Sequence, residues 1–152
     1  MARGDERKWT EQEVVDEYRR HGGPRVASRV SEVMERVDGL GRLHFGPGTQ
    51  TPAFGIIGDR GKQILSIREH PGQPLQARVS IFLGPERWAS PGQREEVRSR
   101  LREIAKPNAD FDRHGSVDAM HLATCSDEEF AGLLALLDWL GPLPAAETSA
   151  AI

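Results

Sequence analysis

The chain has a single cysteine and no long apolar run, and these absences exclude several classes of protein. Cys125 is the one cysteine among 152 residues, so the chain contains no internal disulfide and no zinc site built from several thiolates. No stretch approaches the roughly 18 apolar residues that a membrane span needs. Residues 1–8 also lack the apolar segment of a secretory signal. The sequence therefore predicts a cytoplasmic protein with no membrane association.

Apolar residues are scarce as a class. They make up 38% of the chain, whereas glycine and proline number 16 and 10, which is typical of a globular chain with many loops. The length suits one domain of ordinary size. We expect a single α+β domain over residues 9–140, with a flexible N-terminus at 1–8 and a flexible tail at 141–152.

The charge is unevenly distributed along the chain. The net charge of −3 argues against a dedicated nucleic-acid binder. However, residues 39–106 carry 11 basic and 6 acidic groups, a net charge of +5, and residues 107–152 carry 1 basic and 8 acidic groups, a net charge of −7. Two interpretations remain open: a bipolar surface that attracts an anionic partner, or two segments that neutralise each other in the fold.

Apolar residues at spacings of three and four predict four helices. Two of these helices follow capping boxes, in which Thr10 precedes Glu13 and Ser126 precedes Glu129 by three positions. The predicted helices cover residues 11–21, 24–39, 94–105 and 127–140. The last helix is the most apolar of the four, so we expect it to lie in the core.

Between the second and third helices the apolar period changes to two, which is typical of an antiparallel sheet. It predicts four strands, at 42–45, 53–57, 62–69 and 76–83, with a tight turn at 58–61. Residues 107–125 are predicted to be irregular, with room for one short strand at 116–122. We therefore expect two N-terminal helices, a four-stranded mainly antiparallel sheet, and two C-terminal helices, the helices packing on one sheet face.

Alternation along the strands sorts their side chains onto two faces. The larger apolar set is expected to face the helices: Leu43, Phe45, Phe54, Ile56, Leu65, Ile67, Val79, Ile81 and Leu83. The opposite face then receives Arg42, His44, Ile57, Ile64, Ser66, Arg68, Arg78, Ser80 and Phe82.

Cations beside an aromatic ring can hold a nucleotide or single-stranded nucleic acid through phosphate contacts and stacking. The candidate ligand-binding residues on this face are Arg42, His44, Arg68, Arg78 and Phe82. The alternative is an ordinary solvated face, on which arginine stems cover apolar area and the charged heads stay in water.

A glycine-rich loop between the first two strands adds the candidates Gly46 and Gly48. Backbone N–H groups in such loops can bind phosphate. This loop lacks the Lys-Ser/Thr pair of a P-loop and the third glycine of a dinucleotide fingerprint. A plain hairpin loop is the alternative.

The sequence gives little support for a metal site or for a reactive thiol. Five potential metal ligands fall within twelve residues: Asp110, Asp112, His114, Asp118 and His121. Their spacing matches no known ligand pattern, so the sequence predicts no metal and no cofactor. Cys125 follows a histidine by four positions, but nothing in the sequence lowers the pKa of its thiol, and we interpret it as a small buried side chain.

Short motifs recur in a recognisable order over residues 9–140. They are Trp9-Thr10-Glu11, Phe45-Gly46-x-Gly48 followed by Ala53-Phe54, Val79-Ser80-Ile81-Phe82 leading through Pro91 to Arg98 and Leu101, and Leu136-Leu137-Asp138-Trp139. In this order they resemble a family of small bacterial domains with no established function, found alone and joined to other domains. The resemblance implies an α+β fold and a role in the prokaryotic cytoplasm, and it implies no particular reaction.

No motif points to a specific reaction, and the sequence favours a non-catalytic module that binds an anionic ligand, either a nucleotide or a nucleic acid. The first alternative is a small enzyme acting on an anionic substrate. The second is a domain for binding a protein partner or for oligomerisation. An enzyme would show a pocket in which titratable groups converge, whereas a module would show a shallow patch.

Overall fold

The computed structural model of the chain describes residues 10–45, 53–68, 77–104 and 116–143. The predicted N-terminal segment and most of the predicted tail lie outside these ranges. Within them the chain forms four helices, α1 Glu11–Gly22, α2 Pro24–Gly39, α3 Pro91–Ile104 and α4 Asp127–Leu140. The described ranges also contain five strands, β1 Leu43–Phe45, β2 Ala53–Ile57, β3 Gln63–Arg68, β4 Arg78–Phe82 and β5 Ser116–His121. The α+β class is confirmed.

Capping hydrogen bonds determine where two of the helices begin. The Thr10 hydroxyl accepts a hydrogen bond from the Glu13 N–H at 3.2 Å, and the Glu13 carboxylate accepts one from the Thr10 N–H at 3.0 Å. Ser126 and Glu129 repeat this arrangement at 3.0 and 2.8 Å. The predicted starts of α1 and α4 are confirmed, because these bonds satisfy N–H groups that the first helical turn leaves unpaired.

The third helix begins three residues earlier than predicted, at Pro91. The Ser90 hydroxyl accepts a hydrogen bond from the Gln93 N–H at 3.1 Å, and the Gln93 side chain accepts one from the Ala89 N–H at 2.8 Å. Proline is favoured in a first helical turn because its missing N–H would be unpaired there anyway. The start predicted at Arg94 is therefore wrong.

The strands form one antiparallel sheet in the order β1-β2-β3-β4-β5. The four predicted strands are present, and β5 lies where the sequence left room for a short strand. A four-stranded sheet is wrong because β5 pairs with β4 and adds a fifth strand. The register between β4 and β5 shifts at Val79 and Ser80. As a result the neighbouring residues Ala119 and Met120 are both buried, which breaks the period of two that identifies a strand in a sequence.

One face of the sheet shares a core with the helices, as alternation predicts. Six of its side chains are at most 2% exposed: Phe54, Ile56, Leu65, Ile67, Val79 and Ile81. They belong to the same buried cluster as Val30 and Val37 of α2, Leu101 of α3 and Leu133 of α4. Leu43 and Phe45 are less buried, since β1 is a short edge strand.

Arg42 joins this core to the end of α4. Its guanidinium donates to the carbonyl oxygens of Gly141 at 2.7 Å, Ile57 at 2.8 Å, and Leu140 and Pro142 at 3.2 Å each. It also pairs with the Asp59 carboxylate at 2.7 Å, although the Arg42 side chain is only 1% exposed. Residues 141–143, which the sequence assigns to the tail, are thus held by Arg42 and by a hydrogen bond from the Leu143 N–H to the Leu40 carbonyl at 2.8 Å.

Two leucines on α4 differ in burial and are expected to differ in their effect on stability. Leu137 is 1% exposed, whereas Leu134 is only partly buried. We expect Leu137→Ala to lower the free energy of unfolding by about 2–5 kcal/mol, since it leaves a cavity in the core. Leu134→Ala should lower the free energy of unfolding by clearly less. Urea unfolding of both variants measures the difference, and equal losses would contradict the packing described for α4.

Removing the Arg42 side chain should destabilise the fold strongly. Arg42→Met removes the donor to four carbonyl groups and the ion-pair partner of Asp59, so we expect the free energy of unfolding to fall by about 3–5 kcal/mol. Arg36→Met is the matched control, because Arg36 also contacts α4 but pairs with Asp138, whose side chain is largely exposed. Arg36→Met should lower the free energy of unfolding by less than about 1 kcal/mol. Similar unfolding midpoints for the two variants would refute the role assigned to Arg42.

Candidate functional site

The face of the sheet that carries Arg68 and Arg78, here called the Arg face, lies opposite the core. The register places Arg68 of β3 opposite Arg78 of β4, and Arg78 opposite His121 of β5. The next row along places Ser66 opposite Ser80. Side chains directly opposite each other on antiparallel strands stand about 5 Å apart, so Arg68 and Arg78 form one basic pair.

A groove of about 280 Å³ runs along the Arg face on strands β2 to β4. Its lining residues are Ala53, Phe54, Gly55, Gln63, Ser66, Arg68 and Phe82. Phe82 lies four positions along β4 from Arg78, about 13 Å at the usual rise of a strand. The groove therefore has a guanidinium at one end and an aromatic ring at the other.

The floor of the groove contains Gly55. A Cβ atom built on this residue would lie 2.5 Å from Cδ and 2.6 Å from Nε2 of Gln63. The missing side chain thus lets the Gln63 amide lie directly against the sheet. A glycine inside a strand often marks such a close approach. Gly55 is therefore the sequence signal by which this position could have been found.

Ser66 is a buried polar residue on the same floor. It is 6% exposed, and its hydroxyl forms no hydrogen bond with any residue in the described parts of the chain. Its neighbour Ser80 is 4% exposed. The centre of the Arg face is therefore buried and not solvated at these two serines. An unsatisfied buried hydroxyl is uncommon in a native fold, and a binding site is one explanation for it.

Arg68 differs from most of the other described cations of the basic segment. It is exposed, and none of the described residues forms a hydrogen bond or an ion pair with it. By contrast, Arg100 pairs with Glu96 at 3.0 Å on α3. In the acidic last third of the chain, Asp127 pairs with Arg29 and Asp138 pairs with Arg36. These acids are thus neutralised by the first third of the chain and not by the basic middle.

Arg87 lies beside the groove and was not identified from the sequence. It ends a 3-10 turn at Pro85–Arg87, directly after β4. Its guanidinium lies 5.0 Å from the centre of the Phe82 ring, and it donates a hydrogen bond to the Gln63 carbonyl at 2.6 Å. The Gly84-Pro85 pair is a turn signal, but only the tertiary structure shows that the turn returns Arg87 to the aromatic end of the groove.

The remaining sequence candidates lie elsewhere or outside the described residues. Arg42 is buried at the end of α4, so it is not brought to the groove. His44 lies opposite Gly55 on β1 and is half-buried beside the floor. Gly46 and Gly48 fall in the segment 46–52, outside the described residues. Ile64, expected on the Arg face, belongs to the buried cluster. The register of β2 and β3 shifts just before it, which interrupts simple alternation.

The Cys125 thiol lies inside the protein, against a buried arginine. Arg29 donates to its sulfur at 3.1 Å and to its carbonyl oxygen at 2.8 Å. Burial raises the pKa of the thiol, and the positive charge of Arg29 offsets this only in part. The thiol is therefore mostly protonated at neutral pH, which is the opposite of what an active-site nucleophile needs.

The predicted acidic loop provides no metal site within the described part of the chain. Asp110, Asp112 and His114 lie outside it. Among the residues that are described, no three histidine, cysteine, aspartate or glutamate side chains are grouped so that they could hold a metal ion.

A wider concavity of about 530 Å³ lies on the outer surface of α1 and α2. Its lining includes Arg19, Glu32 and Glu35, so charges of both signs face it. Nearby, burial and the adjacent Asp38 raise the pKa of the Glu11 carboxyl. This surface offers no unsatisfied buried group comparable to Ser66, and the groove is the better candidate site.

No protein-family model matches the chain, and no curated protein or solved structure is significantly similar to it. The resemblance to small bacterial domains remains a prediction. Within the described ranges, none of the helices combines the length and apolar character required to cross a membrane.

The buried thiol should react slowly while the protein is folded. We expect alkylation of Cys125 by iodoacetamide at neutral pH to be at least about tenfold slower in the folded protein than in urea, because the thiol is both enclosed and protonated. Mass spectrometry of timed samples measures the two rates. Equal rates would show an accessible, ionised thiol and would reopen its role as a nucleophile.

Proposed function

We propose that the protein is a non-catalytic binding module whose Arg face recognises an anionic ligand, a nucleotide or a nucleic acid. The observation that carries this proposal is the groove that joins exposed Arg68 to the Phe82 ring. The ligand class follows from the chemistry of these two ends.

The basic end of the groove suits a phosphate. A guanidinium presents its N–H donors in a planar fork that matches two phosphate oxygens. No carboxylate among the described residues competes for Arg68, and Arg78 stands beside it in the same row. A phosphate bound here would meet a net positive field, since it lies in the basic middle segment of the chain.

The aromatic end suits a planar ring. Phe82 already lies against the Arg87 guanidinium, and an aromatic ring beside a guanidinium plane is a surface on which bases stack. A ligand with both a ring and a phosphate would use both ends of the groove.

The groove lining favours binding over catalysis. The seven described residues that line it include a hydroxyl, an amide and a guanidinium but no carboxylate, and His44 and His121 lie on neighbouring strands outside this lining. General acid–base chemistry at neutral pH is carried out mainly by carboxylate and imidazole groups. This composition supports a binding module over the alternative of a small enzyme.

Replacing both arginines of the row tests the proposal. In fluorescence-anisotropy titrations with a labelled single-stranded oligonucleotide and a labelled nucleotide, Arg68→Ala/Arg78→Ala should weaken binding about tenfold or more. With the oligonucleotide, the slope of log affinity against log salt should fall by about 1.4 for two lost phosphate contacts. Circular dichroism confirms that the variant is folded.

The control is Arg19→Ala/Arg20→Ala, which removes the same charge from exposed positions on α1. It should bind nearly as the parent protein does. If the two double variants lose the same amount of affinity, net charge alone explains the effect and the proposal is wrong. If the parent protein binds neither probe, the proposal is wrong and a protein partner becomes the better hypothesis.

A further inference from the structure

We infer that the groove holds a mononucleotide, with its base against Phe82, Ser66 and the Gln63 amide and its phosphate at Arg68, and that it does not hold a nucleic-acid strand. This inference rests on the proposed function and narrows its ligand class.

The size of the groove suits one small molecule. Its volume of about 280 Å³ lies just below the usual range for small-ligand pockets, about 300–1,000 Å³. Arg68 lies two positions from Ser66 on β3, about 7 Å along the strand. A pentose between base and phosphate spans a gap of this size.

The polar groups of the floor suit the edge of a base. Ser66 has a buried hydroxyl with no hydrogen-bond partner among the described residues, and this hydroxyl can both donate and accept. The Gln63 amide lies against Gly55 and also carries a donor and an acceptor. A heterocycle that presents its own donors and acceptors would satisfy both groups, whereas an inorganic anion would reach neither from Arg68.

The aromatic end of the groove is closed to a continuing strand. Arg87 lies over the Phe82 ring. The turn that carries Arg87 is packed onto the end of the sheet, because a Cβ on Gly58 would lie 2.7 Å from Cγ2 of Ile64 and 3.3 Å from the Arg87 carbonyl oxygen. A polynucleotide needs an exit at each end of its binding groove, and here the turn blocks one of them.

Two substitutions test the floor directly. Ser66→Ala removes the unpaired hydroxyl, so it should weaken mononucleotide binding about tenfold, the effect of one well-formed hydrogen bond, without lowering the melting temperature. Gly55→Ala adds a methyl group where the flexible Gln63 side chain now lies, within 2.9 Å of its Cγ, Cδ and Nε2 atoms. It should push the Gln63 amide off the floor and weaken binding at least as much, with the fold intact.

Each variant has a matched control outside the groove. Gly39→Ala adds the same methyl group at the end of α2, where nothing lies within 4 Å of it. Ser99→Ala removes an exposed hydroxyl on α3. Both controls should bind as the parent protein does.

Isothermal titration calorimetry uses four kinds of probe: the four common ribonucleoside 5′-monophosphates, the parent nucleosides, inorganic phosphate, and a single-stranded oligonucleotide. We expect at least one monophosphate to bind about tenfold or more tightly than its nucleoside, inorganic phosphate and the oligonucleotide. We also expect the binding to depend on Ser66, Gly55 and Arg68.

Two results separate the inference from the proposed function. If the oligonucleotide binds best, or if Ser66→Ala and Gly55→Ala leave an Arg68-dependent affinity unchanged, then the mononucleotide inference is wrong and the proposed function stands. If no probe binds, both are wrong. A lower melting temperature of Ser66→Ala with unchanged affinity would assign Ser66 a structural role and would also overturn the inference.

Discussion

The buried guanidinium of Arg42 is the interaction on which the arrangement of sheet and helices depends. A charge taken out of water is stable only where several polar groups surround it. Here four backbone carbonyls and the Asp59 carboxylate do so. One of the carbonyls belongs to Leu140, the last residue of α4, where helical carbonyls have no partners of their own, and two belong to Gly141 and Pro142, which follow it directly. The other two acceptors belong to the end of β2 and the turn after it. One side chain thus positions the last helix against the strands that form the groove.

A second buried arginine, Arg29, also connects separate elements of the fold. Arg29 on α2 donates to the carbonyls of Leu122 and Cys125, pairs with Asp127 and lies over the Phe130 ring. It therefore joins α2 to the turn between β5 and α4. The two buried arginines act on backbone carbonyls near the two ends of α4, while exposed Arg68 has no such acceptors among the described residues. The same residue type is structural in one setting and available to a ligand in the other.

The candidate site is a product of strand register more than of any sequence motif. Pairing of β2 with β3 brings Gly55 beside Ser66, and pairing of β3 with β4 brings Arg68 beside Arg78. A slip of one residue would move these side chains to the opposite face. The core prevents such a slip, since it would expose Ile67 and Val79. The stability of the core and the geometry of the groove are therefore consequences of the same pairing.

The sequence by itself determined the local elements, because their signals lie within a few residues of each other. The capping boxes at Thr10 and Ser126 mark helix starts, and the alternation in β2, β3 and β4 assigns Arg68 and Arg78 to one face. The short strand at 116–122 was expected, but its place in the sheet was not, because a register shift in its pairing with β4 removes the regular period. The burial of Arg42 could not be predicted, since its acceptors lie up to 100 positions away along the chain. Only tertiary structure decided that Gly55, Gln63 and Phe82 line one groove and that Arg87 lies over Phe82, because these contacts depend on register and on the path of a turn, which no local pattern encodes.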